Sequence, residues 1–426
     1  MFKSMIFIYN LLLPLGFVAF LPGLLWKLAF RPGWKKTFAE RFGIFFRARK
    51  AAFAGSSGGI WLHAVSVGET MIALSLIDKL LKHNPGLRIV LSTTTTTGQE
   101  LARDKAPAGV EVIFAPIDFH FTVRRAVKLV NAAKLVIFET EIWPNLILGA
   151  KRAGMEVFLI NARMSDHSSR GYRRFSFFFA PLLARFDAIA AQSQADAERF
   201  KLVSPAAKVE SCGNLKFDQS IDASLEPADL SGYFGPGDFK ILIGASTHPG
   251  EEKLLIETFA TLLAEFPDLR LVLAPRHAER GGEIEKLLQA SGLPYARRSR
   301  ETASSSPVKA VLADTTGELV KLMKASAVVV MGKSLAGQDE GHNLIEPALL
   351  ARPIVTGHIL RNFRFVLKIL EESGGVRTVA SDAELAPALR ELFADPAAAA
   401  AMGERALAAI SVHRGAAERV MHKICG

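Results

Sequence analysis

Short apolar runs alternate with longer stretches of helical periodicity through most of the 426 residues, and that alternation admits few architectures. It is the signature of parallel strands joined by crossover helices. In the first half the strand candidates are Ile60–Ala64, Arg88–Ser92, Val110–Ala115, Leu135–Glu139, Val157–Asn161 and Ala188–Ala191. A second series follows at Lys240–Gly244, Arg270–Ala274, Lys309–Ala313, Ala327–Met331 and Pro353–Thr356. Between the series lies DQSIDASLEPADLSGYFGPGDF, Asp218–Phe239, rich in Ser, Gly, Pro and Asp and without sustained periodicity. The chain is too long for one ordinary core, so the expectation is two doubly wound, Rossmann-like α/β domains facing a central cleft. The expected boundaries are an N-terminal segment 1–50, a first domain 51–220, a linker 221–238 and a second domain 239–426.

Residues Ser4–Trp26, SMIFIYNLLLPLGFVAFLPGLLW, carry no charge and have the length that crosses a bilayer core. They are expected to anchor the chain to a membrane. Pro14, Gly16, Pro22 and Gly23 interrupt the run, so spanning and lying bent within one leaflet are both open. Residues 1–60 hold nine Lys/Arg against one acid, Glu40, and so carry +8 of the formal +10. A basic excess confined there suits an anionic membrane surface and disfavours nucleic acid, which needs basic residues over a folded face. By the positive-inside rule the Lys27–Lys50 side stays cytoplasmic.

Several chemistries drop out. Gly332-Lys333-Ser334 resembles the end of a phosphate-binding P-loop, but the glycine required five residues earlier is Ala327. No GxGxxG follows a strand, neither HExxH nor GxSxG occurs, and the two cysteines, Cys212 and Cys425, have no metal-ligand spacing. Neither a cofactor nor a metal is expected.

Polar clusters at the strand ends remain, where open α/β sheets bind ligands. The first half offers Ser66–Glu69, Glu139–Asn145, Asn161–Ser165 and Gly213–Asp218. Glu69 has two readings. At a helix start it complements the positive end of the dipole; at a strand end it is placed to act as a base. The second half offers Ser246–Glu252, Pro275–His277, Asp314–Glu318 and Glu340–Pro347. Ser, Thr and Gly before a helix present free N–H groups, Arg276 can grip a phosphate with two donors, and Glu346 can accept from both hydroxyls of a ribose. A nucleotide-activated donor in the second half and carboxylates in the first suit transfer of a sugar to a hydroxyl.

The ordered series SVGE, ETEIWPN, NARMS, GNLKFD, STHPGEE, PRHAER, GEL and GHNLIEPA, from Ser66 to Ala348, resembles the 3-deoxy-D-manno-octulosonic acid (Kdo) transferases of lipid A biosynthesis. The resemblance implies a GT-B fold, CMP-Kdo as donor, a lipid A precursor (lipid IVA) as acceptor, and inversion without bound metal at the inner, cytoplasmic membrane. It implies Glu69 as proton acceptor, with Glu139 and Lys216 stabilising the transition state. It makes Pro275, Arg276, Thr316, Gly317, Glu318, Asn343, Leu344, Ile345 and Glu346 contacts to CMP, joined by Ser246, Thr247 and His248. This sequence departs from the family pattern at Met331–Ser334 and Gln338–Gly341, where Lys333 brings a cation and Asp339 and Glu340 bring negative charge. Two rivals stand beside it: a sugar-nucleotide epimerase or hydrolase of related two-domain fold, and a membrane-tethered nucleotide-sugar binding protein without catalysis.

Overall fold

The computed structural model describes residues 2–30, 39–45, 53, 57–218, 221 and 224–426, and for residues 19–30 the backbone alone. The chain divides into two compact units, one of Met1–Asp218 with Arg414–Gly426, the other of Gln219–His413. Each is built on one seven-stranded sheet in which every pairing is parallel.

In unit 1 the strands are β1 (Ile60–Ala64), β2 (Ile89–Thr93), β3 (Glu111–Phe114), β4 (Lys134–Phe138), β5 (Glu156–Ala162), β6 (Ala188–Ala191) and β7 (Val209–Ser211), in spatial order β3-β2-β1-β4-β5-β6-β7. Successive residues point to opposite faces of a pleated sheet. Trp61, Val90 and Leu135 therefore enter one core, while Leu62, Leu91 and Val136 enter the other. The order reverses direction between β1 and β4, and there the connections diverge and leave a crevice at the C-terminal strand ends. In unit 2 the strands are β8 (Lys240–Thr247), β9 (Leu269–Pro275), β10 (Tyr295–Arg297), β11 (Ala310–Leu312), β12 (Val328–Met331), β13 (Ile354–Gly357) and β14 (Arg377–Val379), in order β10-β11-β9-β8-β12-β13-β14. Here the reversal lies between β8 and β12.

The domain boundaries expected from sequence need correction at the C-terminus. Residues 414–426 return to unit 1, where Ala416, Ala417, Val420 and Ile424 are buried with Leu62 and Val136. A carboxylate at the far end of unit 1 holds them. Asp218 accepts from Gly415 N at 2.6 Å and from Ala417 N, taking up N–H groups that the first turn of helix Ala416–Cys425 cannot pair internally. The expected linker is likewise part of unit 2, where it forms the short helix Ser231–Phe234.

The N-terminal apolar run forms the helix Phe2–Phe30. Among the described residues no helix is long and apolar enough to cross a membrane. Residues 2–18 instead lie along unit 1: Ile6 packs with Leu148 and Leu182, and Phe17 meets Phe42 and Phe119 edge-on. Tyr9 donates to Asp118 Oδ2 at 2.9 Å, and Asn145 Nδ2 donates to Asn10 Oδ1 at 2.7 Å. Phe7, Ile8, Leu11, Leu12, Leu15 and Val18 face outward. The cations Arg31, Lys35, Lys36, Arg47, Arg49 and Lys50 of the expected basic collar lie outside the described residues.

Asp218→Ala leaves the last helix uncapped and two N–H groups unpaired, and should lower stability by about 1–3 kcal/mol in urea unfolding; an unchanged midpoint would contradict the clasp. Asp118 is raised from 3.8 to about 6, first by burial, against the opposing bonds from Asn145 N, Tyr9 and Leu146 N. Its folded state thus favours the protonated form, so its contribution is largest below pH 4 and falls as pH rises towards 6. The stability difference between wild type and Asp118→Asn should shift in that sense between pH 4 and 7, and a difference independent of pH would refute it.

Candidate active site

At the unit 1 reversal, β1 runs directly into the helix Val67–His83. Ser66 is its N-cap and accepts from Glu69 N at 3.2 Å, while Glu69 Oε1 accepts from Ser66 Oγ and Oε2 from Val65 N, both at 2.8 Å. This reciprocal arrangement is a variant of the capping box, so the plain reading of Glu69 as a helix-start residue is true of its contacts. It does not exhaust them. Glu69 is 5% exposed, and burial raises the pKa of its carboxyl; the Val65 and Ser66 bonds oppose that shift, and the charges of Glu139 and Glu141 add to it.

The second wall of the crevice is the β4 end. Glu139 has φ 55°, a left-handed conformation that turns the chain out of the strand. Glu141 accepts from Trp143 Nε1 at 2.8 Å, and burial raises its carboxyl too, against that bond and with the Glu139 charge adding. Beneath them His63 is fully buried, with Nδ1 3.0 Å from Ser92 Oγ and its ring edge-on to Trp143; burial drops it to about 4, so it is neutral at pH 7.

Lys216 reaches this carboxylate group, its Nζ 3.9 Å from Glu139 Oε1. A ring of amides holds it there. Asn161 Oδ1 accepts from Leu215 N at 2.9 Å, Asn214 Oδ1 from Lys216 N at 3.0 Å, Gln192 Oε1 from Asn214 Nδ2 at 3.1 Å, and Gln192 Nε2 returns to Asn161 O at 2.9 Å. Three motifs far apart in sequence thus converge on one turn. Gln192 had no signal of its own, since an amide at a strand end reads as an ordinary turn residue.

In unit 2 the expected ligand-binding residues fall on the ends of β8, β9, β11 and β12. Ser246 takes φ 57°, and Gly332 passes so close that a Cβ there would meet Ser246 O at 2.3 Å. Glu251, 1% exposed, accepts from His248 N at 2.8 Å and from Lys333, Ser334 and Leu335 N at 2.8–3.0 Å, tying the loop after β8 to the loop after β12. Arg276 lies near enough to Glu346 to oppose the upward pull of burial on that carboxyl, and Asn343 Nδ2 donates to it at 3.4 Å. Leu344 and Ile345 are fully buried, and Ile345 N donates to Asn343 Oδ1 at 3.1 Å. Glu318 is engaged by Arg298 at 2.8 and 2.9 Å and by Thr315 Oγ1 at 2.5 Å, which lowers its carboxyl to about 2 despite burial. Thr316 and Gly317 form the turn before it, the glycine at φ 87°. The extra cation Lys333 is matched by Glu340 at 2.6 Å, and Asp339 by Arg361 at 2.5 Å. His342 was passed over as a site residue, although it sits in the GHN motif; its Nε2 lies 2.9 Å from His248 Nε2.

A family model described as 3-deoxy-D-manno-octulosonic-acid transferase matches residues 36–219. The 3-deoxy-D-manno-octulosonic acid transferase of Haemophilus influenzae is 31% identical over 92% of this chain and 91% of its own. The chain belongs to the Kdo transferase family. The enzyme of the same description from Bordetella pertussis is 31% identical over 93% of this chain and 94% of its own. This Kdo transferase is accordingly a glycosyltransferase. Its fold resembles those of the UDP-GlcNAc 2-epimerase of Neisseria meningitidis, with TM-score 0.57 over 86% of this chain and 99% of that one at 14% identity, and of a Rickettsia africae glycosyltransferase, with TM-score 0.56 over 87% and 98% at 13%. Two parallel-sheet α/β units of this kind are those of GT-B glycosyltransferases.

Asn161→Ala removes the acceptor that orients the Lys216 turn while leaving Glu69 and Glu139 untouched. Kdo transfer should fall about 10- to 100-fold with the secondary structure intact, the scale expected of a small misplacement at a reacting centre. Wild-type turnover would show the amide ring to be dispensable.

Proposed function

We propose that this transferase moves Kdo from CMP-Kdo to a hydroxyl of a lipid A precursor, lipid IVA, with inversion at the anomeric carbon. The observation that carries the reading is the buried, upward-shifted Glu69 carboxyl held at the β1 end beside Glu139 and Glu141. A base poised nearer neutrality than an ordinary carboxylate can take the proton of the attacking hydroxyl without being spent on solvent. The hydroxyl oxygen bonds to the anomeric carbon as the bond from that carbon to the phosphate oxygen breaks, and CMP leaves with the electron pair. Lys216 supplies positive charge for the donor's carboxylate or the departing phosphate, and Glu139 3.9 Å away orients it.

In the same reading, unit 2 holds the CMP moiety through Ser246, Thr247 and His248, Pro275 and Arg276, the Thr316–Gly317 turn with Glu318, and the segment Asn343, Leu344, Ile345 and Glu346. Arg276 faces phosphate and Glu346 the ribose diol. The outward apolar residues between Phe7 and Val18 and the basic excess of residues 1–60 support docking on the cytoplasmic face of the inner membrane, where a lipid acceptor resides.

The test is transfer from CMP-Kdo, generated in place, to a tetraacylated lipid A precursor. Wild type should release CMP only when donor and lipid are both present, and Glu69→Gln should lose at least about 100-fold. CMP release without lipid would favour hydrolysis or epimerisation, no release would favour a binding protein, and an active Glu69→Gln would reduce Glu69 to a helix cap.

A further inference from the structure

His248 follows β8 directly and His342 lies in the loop after β12, so the two imidazoles flank the reversal point of the unit 2 sheet. One carboxylate ties the two loops together. The His248 N–H is bound by Glu251, whose carboxylate also holds the three successive N–H groups of Lys333, Ser334 and Leu335. The rings meet edge to edge through their Nε2 atoms, 2.9 Å apart, with centroids 5.1 Å apart and planes 27° from parallel, and His277 stands edge-on to His248 at 6.0 Å. That Nε2 contact leaves no space for an ion between the nitrogens and requires one shared proton.

Counting protons fixes what the pair can do. With one proton between the Nε2 atoms and no net charge, one Nδ1 is a donor and the other an acceptor. One more proton converts the second Nδ1 to a donor, giving a single positive charge with two outward N–H groups. A third state would set two protons head to head and part the rings. The pair is therefore a device that takes up one charge. Its surroundings oppose that charge until an anion arrives. Burial comes first in lowering both imidazoles, His342 to about 4; proximity to His248, Arg276 and Lys333 adds to it for His342, and proximity to Lys333 and Arg280 for His248. The carboxylates nearby are already engaged: Glu252 by Arg280 at 2.7 Å, although its charge still favours a protonated His248, Glu340 by Lys333 at 2.6 Å, Glu251 by backbone, and Glu279 by His277 Nδ1 at 3.5 Å.

We propose that the hydrogen-bonded pair His248–His342, with Lys333 and His277 beside it, is a proton-linked subsite for a phosphate group. It rests on the reading of unit 2 as the holder of a nucleoside monophosphate, and it names the groups that meet that phosphate. When the donor's phosphodiester becomes a phosphomonoester, the phosphate gains charge, approaching −2 at neutral pH. A subsite able to accept one proton from solvent at that moment matches the gain. His248 and His342 then act as binding groups whose charge follows the ligand's.

The experiment is calorimetric titration of the full chain at pH 7.5 with CMP, cytidine and inorganic phosphate, each in two buffers of different ionisation enthalpy. Wild type should bind CMP with net proton uptake. His342→Gln and His248→Gln should each bind CMP about 10-fold more weakly, the scale of one charge-assisted bond, lose that uptake, and keep wild-type affinity for cytidine. Inorganic phosphate should compete with CMP in wild type and less in the variants. Equal loss of CMP and cytidine would make the pair a packing feature, and weaker CMP binding with unaltered proton uptake would remove the proton linkage. Wild type that binds no CMP would overturn the donor reading itself, whereas tight CMP binding by both variants would overturn only the subsite. His248→Gln decides the matter if His342→Gln does not fold.

Discussion

A buried side-chain oxygen that takes up the unpaired N–H groups at a strand–loop–helix junction recurs through this molecule. Parallel sheets oblige every strand to end in such a junction, and each junction leaves backbone donors that water cannot reach. Glu69 serves Val65, Asp118 serves Asn145 and Leu146, Asn161 serves Leu215, Asp218 serves Gly415 and Ala417, and Glu251 serves four donors from two loops. The loops that carry polar side chains are thereby tied by hydrogen bonds to the strand ends that deliver them. Preorganisation in this sense costs the protein buried charge, which the N–H bonds offset.

Glu69 shows how one group serves both ends. Its bonds to Val65 and Ser66 aim the carboxyl and hold its affinity for protons down; burial and two neighbouring carboxylates push that affinity up. A group so held gains a proton more readily than a surface glutamate would. Structure and reactivity are two consequences of one set of contacts, and this is why the helix-start reading and the base reading of Glu69 are compatible.

Much of this was legible in the chain. The alternation of runs located every central strand, because a strand buried on both faces must be continuously apolar. It missed Val209–Ser211, Tyr295–Arg297 and Arg377–Val379, since three residues on or near a sheet edge carry too little apolar signal to register. The clusters at the ends of β1, β4, β5, β8, β9 and β12 were visible because polar residues interrupt apolar runs there. The partnerships among them were not. That Asn161 reaches Leu215, that Arg298 engages Glu318, or that Asp218 reaches Gly415 depends on which loops the topology makes neighbours, and no local pattern encodes it.

The return of residues 414–426 makes unit 2 an insertion within unit 1 rather than a successor to it. During synthesis the β1 to β7 sheet emerges first, yet the residues that cover Leu62 and Val136 on one of its faces, Ala416, Val420 and Ile424, are translated only after all of unit 2. Ile72, Leu76, Ile77 and Leu80 already pack on that face, so the nascent first unit lacks part of its cover until residues 414–426 are made. Completion of the chain, and not of the unit, is what closes its core.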